Sequence, residues 1–232
     1  MYTYEYPHPA VTADNVIFGF DGNRLHILLV ERGVDPYKGC WALPGGFLRE
    51  DETVEECAKR ELMEETNVKE VYLRQFHVFS EVYRDPRGRV LTVAFYALVR
   101  KSEYELIAGD DASDVSWFML EELPPLAFDH AKIIEAARKH LQEELKLRPI
   151  VFKLLDKKFS MGELQRLYEL INATRYDRRN FQRKMISSGF LSDEGVSEAS
   201  VANRPPQLYS FDEDSYVRTV NEDDTMKYPF GL

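Results

Sequence analysis

Three glutamates, Glu61, Glu64 and Glu65, carry the strongest chemical signal in the chain. On a helix at about 100° per residue they fall within about a 100° sector of one face. Carboxylates crowded in this way repel one another unless a cation lies between them. Hard oxygen donors suit Mg²⁺ or Mn²⁺, ions that keep several waters and bridge to phosphates. Gly45-Gly46, just upstream, lets backbone approach such a helix and its bound phosphates closely, and Gly46 joins the three glutamates as a metal-site residue. Metal held there would neutralise a diphosphate and activate a water, and one carboxylate would take that water's proton. Glu52 and Arg60 are expected to pair and fix the loop against the helix.

The elements that must position these groups are legible around them. Thr53–Thr66 reads as a helix, with Thr53 at its N-cap, Glu56 three residues on and no Gly or Pro inside. Val16–Phe20 and Leu25–Val30 are β-rich runs separated by Asp21-Gly22, a hairpin signal. Val71–Tyr83 and Val90–Val99 read as strands joined by the polar turn Arg84-Asp85-Pro86-Arg87-Gly88-Arg89. Val115–Phe118 is a short strand. Asp129–Leu145 has apolar Ile133, Ile134, Ala137 and Leu141 at helical spacing. Strands mixed with two helices give an α+β front domain over residues 1–147.

The spacing is specific as well as the residue types. The chain reads Gly46, five residues, Glu52, seven residues, Arg60-Glu61-Leu62-Met63-Glu64-Glu65-Thr66-Asn67-Val68. With Gly in place of Asn67 this would be a complete Nudix box. Asn is the best non-Gly residue for the left-handed conformation that ends a helix, so the departure is mild. Residues 40–68 thus resemble Nudix hydrolases. The resemblance implies an α/β/α sandwich with a mixed sheet and metal-dependent hydrolysis of a nucleoside diphosphate linked to another group. Glu81–Val90, Ala108–Ala112 and Trp117 further resemble the ADP-ribose pyrophosphatase branch. On that resemblance Arg84, Asp85, Arg87, Arg89 and Asp110 are ligand-binding candidates. Either Asp110 or Asp111 can complete the acid–base set, with Asp111 taken as the catalytic candidate.

Charge divides the chain. Residues 1–145 hold 16 Lys+Arg against 27 Asp+Glu, a net −11. Residues 146–211 hold 12 against 7, a net +5, and residues 212–232 hold 2 against 6, a net −4. A basic island in an acidic protein points toward a polyanion, though a solvated helix face reads the same way by charge alone. Two cysteines, Cys40 and Cys57, are too few for a disulfide scaffold and suggest a reducing cytoplasm. No apolar run approaches the roughly 20 residues needed to span a bilayer.

Arg148-Pro149 breaks the pattern, and residues 148–232 read as a second module. Ser160 caps a helix to about Asn172, with Leu164, Leu167, Leu170 and Ile171 on its apolar face. Asp177 caps Arg178–Ser188, which Gly189 ends. Phe181, Met185 and Ile186 are placed inward, whereas Arg178, Arg179, Gln182 and Arg183 can reach base edges and phosphates. Phe190-Leu191 and Leu208–Phe211 can pair as a hairpin whose loop, with Arg204, forms a wing. Asp212–Leu232 reads as partly flexible acidic surface.

Residues 10–215 resemble the Nudix-related transcriptional regulators, in Leu126–His130, Phe152–Phe159 and Asp177–Phe181. That resemblance implies a homodimer that binds double-stranded DNA through a winged helix and senses ADP-ribose or a pentose. A Mg²⁺-dependent ADP-ribose pyrophosphatase with a structural C-terminal module is the other reading.

Overall fold

Asp21-Gly22 turns the chain as its sequence requires. Gly22 takes φ +91°, and the Asp21 carboxylate accepts from the Asn23 and Arg24 amides at 2.9 and 2.7 Å. The flanking strands are β1 (Ala10–Phe20) and β2 (Leu25–Arg32). The computed structural model describes residues 5–69, 71–109, 112–196 and 205–222. They fall into two compact units, one up to Gly19 with His26–Ala137, the other Phe20–Leu25 with the chain from Arg138.

The first unit carries one sheet in the order β3-β2-β1-β6-β5. β3 is Trp41–Ala42, β4 is Gly45–Phe47 and the first helix, α1, is Val54–Thr66. β5 is Arg74–Phe79, β6 Val90–Arg100, β7 Ala112–Met119 and the helix α2 His130–Leu147. β4 pairs with β1, and β7 with β2, both antiparallel. The Ala10 amide donates to the Arg89 carbonyl and the Thr12 hydroxyl to the Leu91 carbonyl, so β1 runs parallel to β6 and the sheet is mixed. Flanked on both edges, β1 is buried from Thr12 to Phe20 and reads as an unbroken run rather than an alternation. The strand expected over Val71–Tyr83 is shorter, because Val82 and Tyr83 lie exposed in the following turn.

The helix over the sheet starts where predicted. The Thr53 hydroxyl accepts from the Glu56 amide at 3.2 Å while the Glu56 carboxylate accepts from the Thr53 amide at 2.8 Å. Asn67 ends it at φ +61°, its amide bonded to the Met63 carbonyl, in the left-handed role expected of it. Cys57, Ala58 and Leu62 form the buried face.

The second unit takes in the end of α2 and, after Pro149, a short 3₁₀ turn, Ile150–Leu154. It continues as β8 (Phe159–Ser160), α3 (Met161–Asn172), α4 (Arg178–Ser187), β9 (Leu191–Val196) and β10 (Gln207–Phe211). The expected hairpin forms, and β8 adds an unforeseen third strand in the order β8-β10-β9. Ser160 caps α3 in a full capping box with Glu163. Phe152 stacks on Phe211 at 4.3 Å and lies 5.6 Å from Phe159. The expectation of flexible surface from Asp212 is corrected for its first part. Glu213–Glu222 is a helix, α5, capped by the Asp212 carboxylate on the Ser215 amide and anchored by Tyr216 against Phe190 and Phe211. Residues 223–232 lie outside the described residues.

Candidate functional site

α1 and β4 build the site together. Gly45 donates its amide to the Glu65 carboxylate at 2.8 Å. A side chain on Gly45 would meet the Ala13 carbonyl at 2.2 Å, and one on Gly46 would meet the Glu61 carboxylate at 2.3 Å. Backbone therefore requires glycine at Gly45, and a side chain at Gly46 would have to push the Glu61 carboxylate aside. Glu52 and Arg60 pair as expected, with Arg60 donating Nε and Nη2 at 2.8 and 2.6 Å. Arg60 bonds hold the Glu52 carboxyl down at about 2. Arg60 also donates to Glu61 at 2.6 Å and to Glu64 at 3.0 Å, so it does more than staple the loop.

A cleft of about 390 Å³ opens beside these residues. Of the predicted metal-site residues, Gly46, Glu61 and Glu65 line it, and Glu64 does not. Glu64 faces outward, paired with Arg60 and, at 3.7 Å, with Arg49. Burial pushes the Glu65 carboxyl up to about 8, and neighbouring Glu61 and Asp14 add to the push against the Gly45 amide. Burial also raises Glu61, outweighing the Arg60 contact. Among the described residues no three His, Cys, Asp or Glu side chains are already gathered around a cation position. The donor chemistry nonetheless fits one. Two carboxylates crowded until burial resists their charge, beside backbone that a Cβ would displace, suit a hard divalent cation.

The predicted ligand residues separate in the structure. Arg84 lines the cleft, but its fork grips Asp129 at 3.0 and 2.7 Å and it is almost fully buried, so its charge is spent inside the protein. Arg87 and Asp85 also line it, joined by three short contacts of 2.6–3.2 Å. Burial opposes the Asp85 charge, yet the Arg87 hydrogen bonds hold its carboxyl below the usual range. Arg89 reaches the Ser80 and Glu81 carbonyls at 2.8 and 3.1 Å and does not line the cleft. Asp110 and Asp111 lie outside the described residues.

The cleft also holds residues that were not foreseen: Arg32, Phe47, Phe128, His130 and Asp14. His130 accepts from the Leu43 amide on Nδ1 at 2.8 Å, and its Nε2 lies 4.0 Å from Asp14. Burial lowers its pKa and keeps it neutral, outweighing the nearby carboxylates. Only Phe128–His130, inside the segment that carried the family resemblance, gave any sequence signal.

The second unit presents a candidate nucleic-acid interface. Asp177 caps α4, and Phe181 and Met185 are its buried face. Arg178, Arg179 and Arg183 are exposed and Gln182 is half-buried, as that face requires. Ile186, placed inward by the sequence reading, is 48% exposed and belongs to the outer face. The turn before α4 is fixed by Glu169, which accepts from the Tyr176 amide at 3.0 Å, Gln165 at 3.0 Å and Arg175 at 2.9 Å. Burial opposes the Glu169 charge, but these donors prevail and hold it low. Arg204 lies outside the described residues.

Comparison with known proteins decides the lineage. The NUDIX domain model matches residues 8–135, and the NrtR DNA-binding winged helix domain model matches residues 151–211. The chain is 36% identical over 212 residues to the "ADPR responsive transcriptional repressor NtrR" of Acinetobacter baylyi, covering 89% of this chain and 84% of the relative. The chain belongs to the Nudix proteins that carry an NrtR winged helix. Its front part is also 47% identical over 130 residues to the "ADP-ribose pyrophosphatase" of Methanocaldococcus jannaschii, covering 56% of this chain and 73% of that one. The crystal structure of Shewanella oneidensis NrtR complexed with a 27mer DNA matches at TM-score 0.71 and 31% identity, over 89% of this chain and 95% of that one. That protein's Nudix domain, cocrystallised with ADP ribose, matches at TM-score 0.55 and 38% identity over 59% and 90%. This NrtR-type chain has no helix among its described residues long and apolar enough to cross a membrane.

Proposed function

We propose that the protein is an ADP-ribose-responsive transcriptional repressor. The observation that carries this reading is the likeness along nearly the whole chain to a repressor of that kind, with both domains in the same order. In this reading residues 1–147 form the sensing domain and 148–232 the DNA-binding domain. Arg178, Arg179, Gln182 and Arg183 read the major groove from α4, and Arg204 on the wing reaches the minor groove. The cleft between α1 and the Arg84–Arg89 turn takes ADP-ribose. The protein works in the cytoplasm as a homodimer, because paired half-sites require two recognition helices.

Binding biases the equilibrium between DNA-competent and DNA-released states by the difference in affinity for the two. A gel shift with the upstream region of its own gene tests this. Retarded DNA that ADP-ribose releases is the expected result. Binding no tighter than to random DNA at matched salt would refute it.

A second reading, retained hydrolysis, is favoured by the near-complete box and by the likeness to a pyrophosphatase. Gly46, Glu61 and Glu65 would hold Mg²⁺ or Mn²⁺, with Glu64 joining once it exchanges Arg60 for the metal. Bound metal would neutralise the diphosphate and lower the pKa of a water. The chain's own contribution is to orient: the Gly45 amide aims Glu65, and the Glu52–Arg60 pair holds the loop against α1. Burial makes Glu65 a stronger base than an ordinary carboxylate, and it would accept the water's proton once a bound cation keeps it ionised. AMP release from ADP-ribose with Mg²⁺, abolished in Glu65→Gln, is the expected outcome; turnover equal in both would remove the assignment.

A further inference from the structure

The basic side of the cleft is organised by one aromatic ring. Arg32 and Arg87 both place their guanidinium carbons over Phe128, at 4.9 and 5.1 Å from its centroid, and Arg87 also lies 4.7 Å from Phe47. Two cations sharing one ring repel each other. Burial, then Arg87, pulls the Arg32 pKa down. Arg87 is paired with Asp85, whereas among the described residues the hydrogen bonds of Arg32 go to backbone carbonyls, Pro36 at 2.8 Å and Val34 at 3.4 Å. Those contacts fix the fork and leave its charge uncompensated by a carboxylate hydrogen bond. Phe128 is itself fixed at φ +51°, a left-handed conformation unusual for an aromatic residue, with Tyr37 edge-on at 4.8 Å. Strain of this kind persists where surrounding structure enforces it, and it collects at ligand sites.

We propose that Arg32, held beside Arg87 by Phe128, is the specificity-determining residue that recognises the diphosphate of the bound nucleotide. An anion between two guanidiniums converts their repulsion into two charge-assisted contacts. The proposal rests on the reading that this cleft is the effector site. It replaces Arg84 and Arg89 as phosphate contacts by a residue some fifty positions upstream.

Isothermal titration of the full chain in chelator, which prevents turnover, tests it with three probes: ADP-ribose, inorganic diphosphate and adenosine. Arg32→Met is expected to weaken ADP-ribose and diphosphate by about tenfold to hundredfold, the range for a charge-assisted hydrogen bond. Arg32→Lys should recover part of the loss, because it keeps the charge and lacks the fork. Adenosine carries no anion, so its affinity should be the same in wild type and Arg32→Met. Arg87→Met is a second variant that leaves the Pro36 and Val34 contacts intact, and the ligand-free thermal midpoint reports folding for each.

Undiminished ADP-ribose and diphosphate binding in Arg32→Met would overturn the proposal, as would an equal loss for adenosine. Wild-type protein that binds diphosphate in an Arg32-dependent way but ignores ADP-ribose would leave the clamp standing and overturn the effector reading. Wild-type protein that binds neither would overturn the clamp.

Discussion

Two glutamates, one in each unit, show opposite uses of the same side chain. Glu65 sits in the cleft with one amide donor and two carboxylate neighbours, and burial pushes it up to about 8. Glu169, only 8% exposed, has three donors and titrates low. A carboxylate left short of donors is poised for something the protein does not itself supply. One saturated with donors is part of the frame, here the turn that sets α4. The cleft is thus built to be completed by a ligand, and the winged helix is built to be complete beforehand.

Removing the saturated group should have the largest effect. Glu169→Ala leaves the Tyr176 amide without its acceptor and removes the contacts to Gln165 and the exposed Arg175, and should destabilise the second unit by about 2 kcal/mol in urea or thermal unfolding. An unchanged midpoint would mean that the turn holds itself. The same change in kind at the other site should reverse sign. Burial pushes the Glu65 carboxyl up to about 8, so folding at neutral pH forces it to take up a proton; Glu65→Gln removes that cost, and metal-free protein should gain about 1–2 kcal/mol. If Mg²⁺ raises the wild-type midpoint, that rise should disappear in the variant.

Acid should separate the two units further. The folded pKa of Glu169 is depressed, so its stabilisation is present above the unfolded carboxylate pKa and is lost as pH falls through the folded value. The midpoint of wild-type protein should fall below about pH 4.3, the ordinary Glu value, and that part of the slope should vanish in Glu169→Gln. The smallest effects serve as controls. Thr53→Ala and Ser160→Ala each break a capping box, one per unit, and each should cost about 1 kcal/mol. Unequal losses, read by hydrogen exchange in each helix, would show that one unit opens before the other.

Local chemistry made much of this legible in advance. Thr53 with Glu56, Asp177 before the arginines, and Asn67 at a helix end each declare a conformation within a few residues. The Glu52–Arg60 pair was readable because a helix fixes its spacing to Glu61. The clamp was not. Arg32 ends one strand, Phe47 belongs to another and Phe128 precedes α2, so nothing short of the folded sheet brings them together. The same holds for the partners of Arg84 and Arg89: Asp129 and the Ser80 and Glu81 carbonyls that take their donors gave no signal in the sequence. β8 is two residues long and gives no periodic signal, whereas α5 is amphipathic through Tyr216 and Val217, a signal masked by the acidic residues around it.

In the proposed function the cleft's ligand governs the α4 surface. The most direct test is a titration of ADP-ribose into the complex of the full chain with labelled DNA from its own upstream region, at fixed salt, followed by fluorescence anisotropy. The account predicts saturable release of the DNA by ADP-ribose and none by adenosine. Anisotropy that stays at the bound value through saturating ADP-ribose, with the nucleotide shown to be bound, would contradict it.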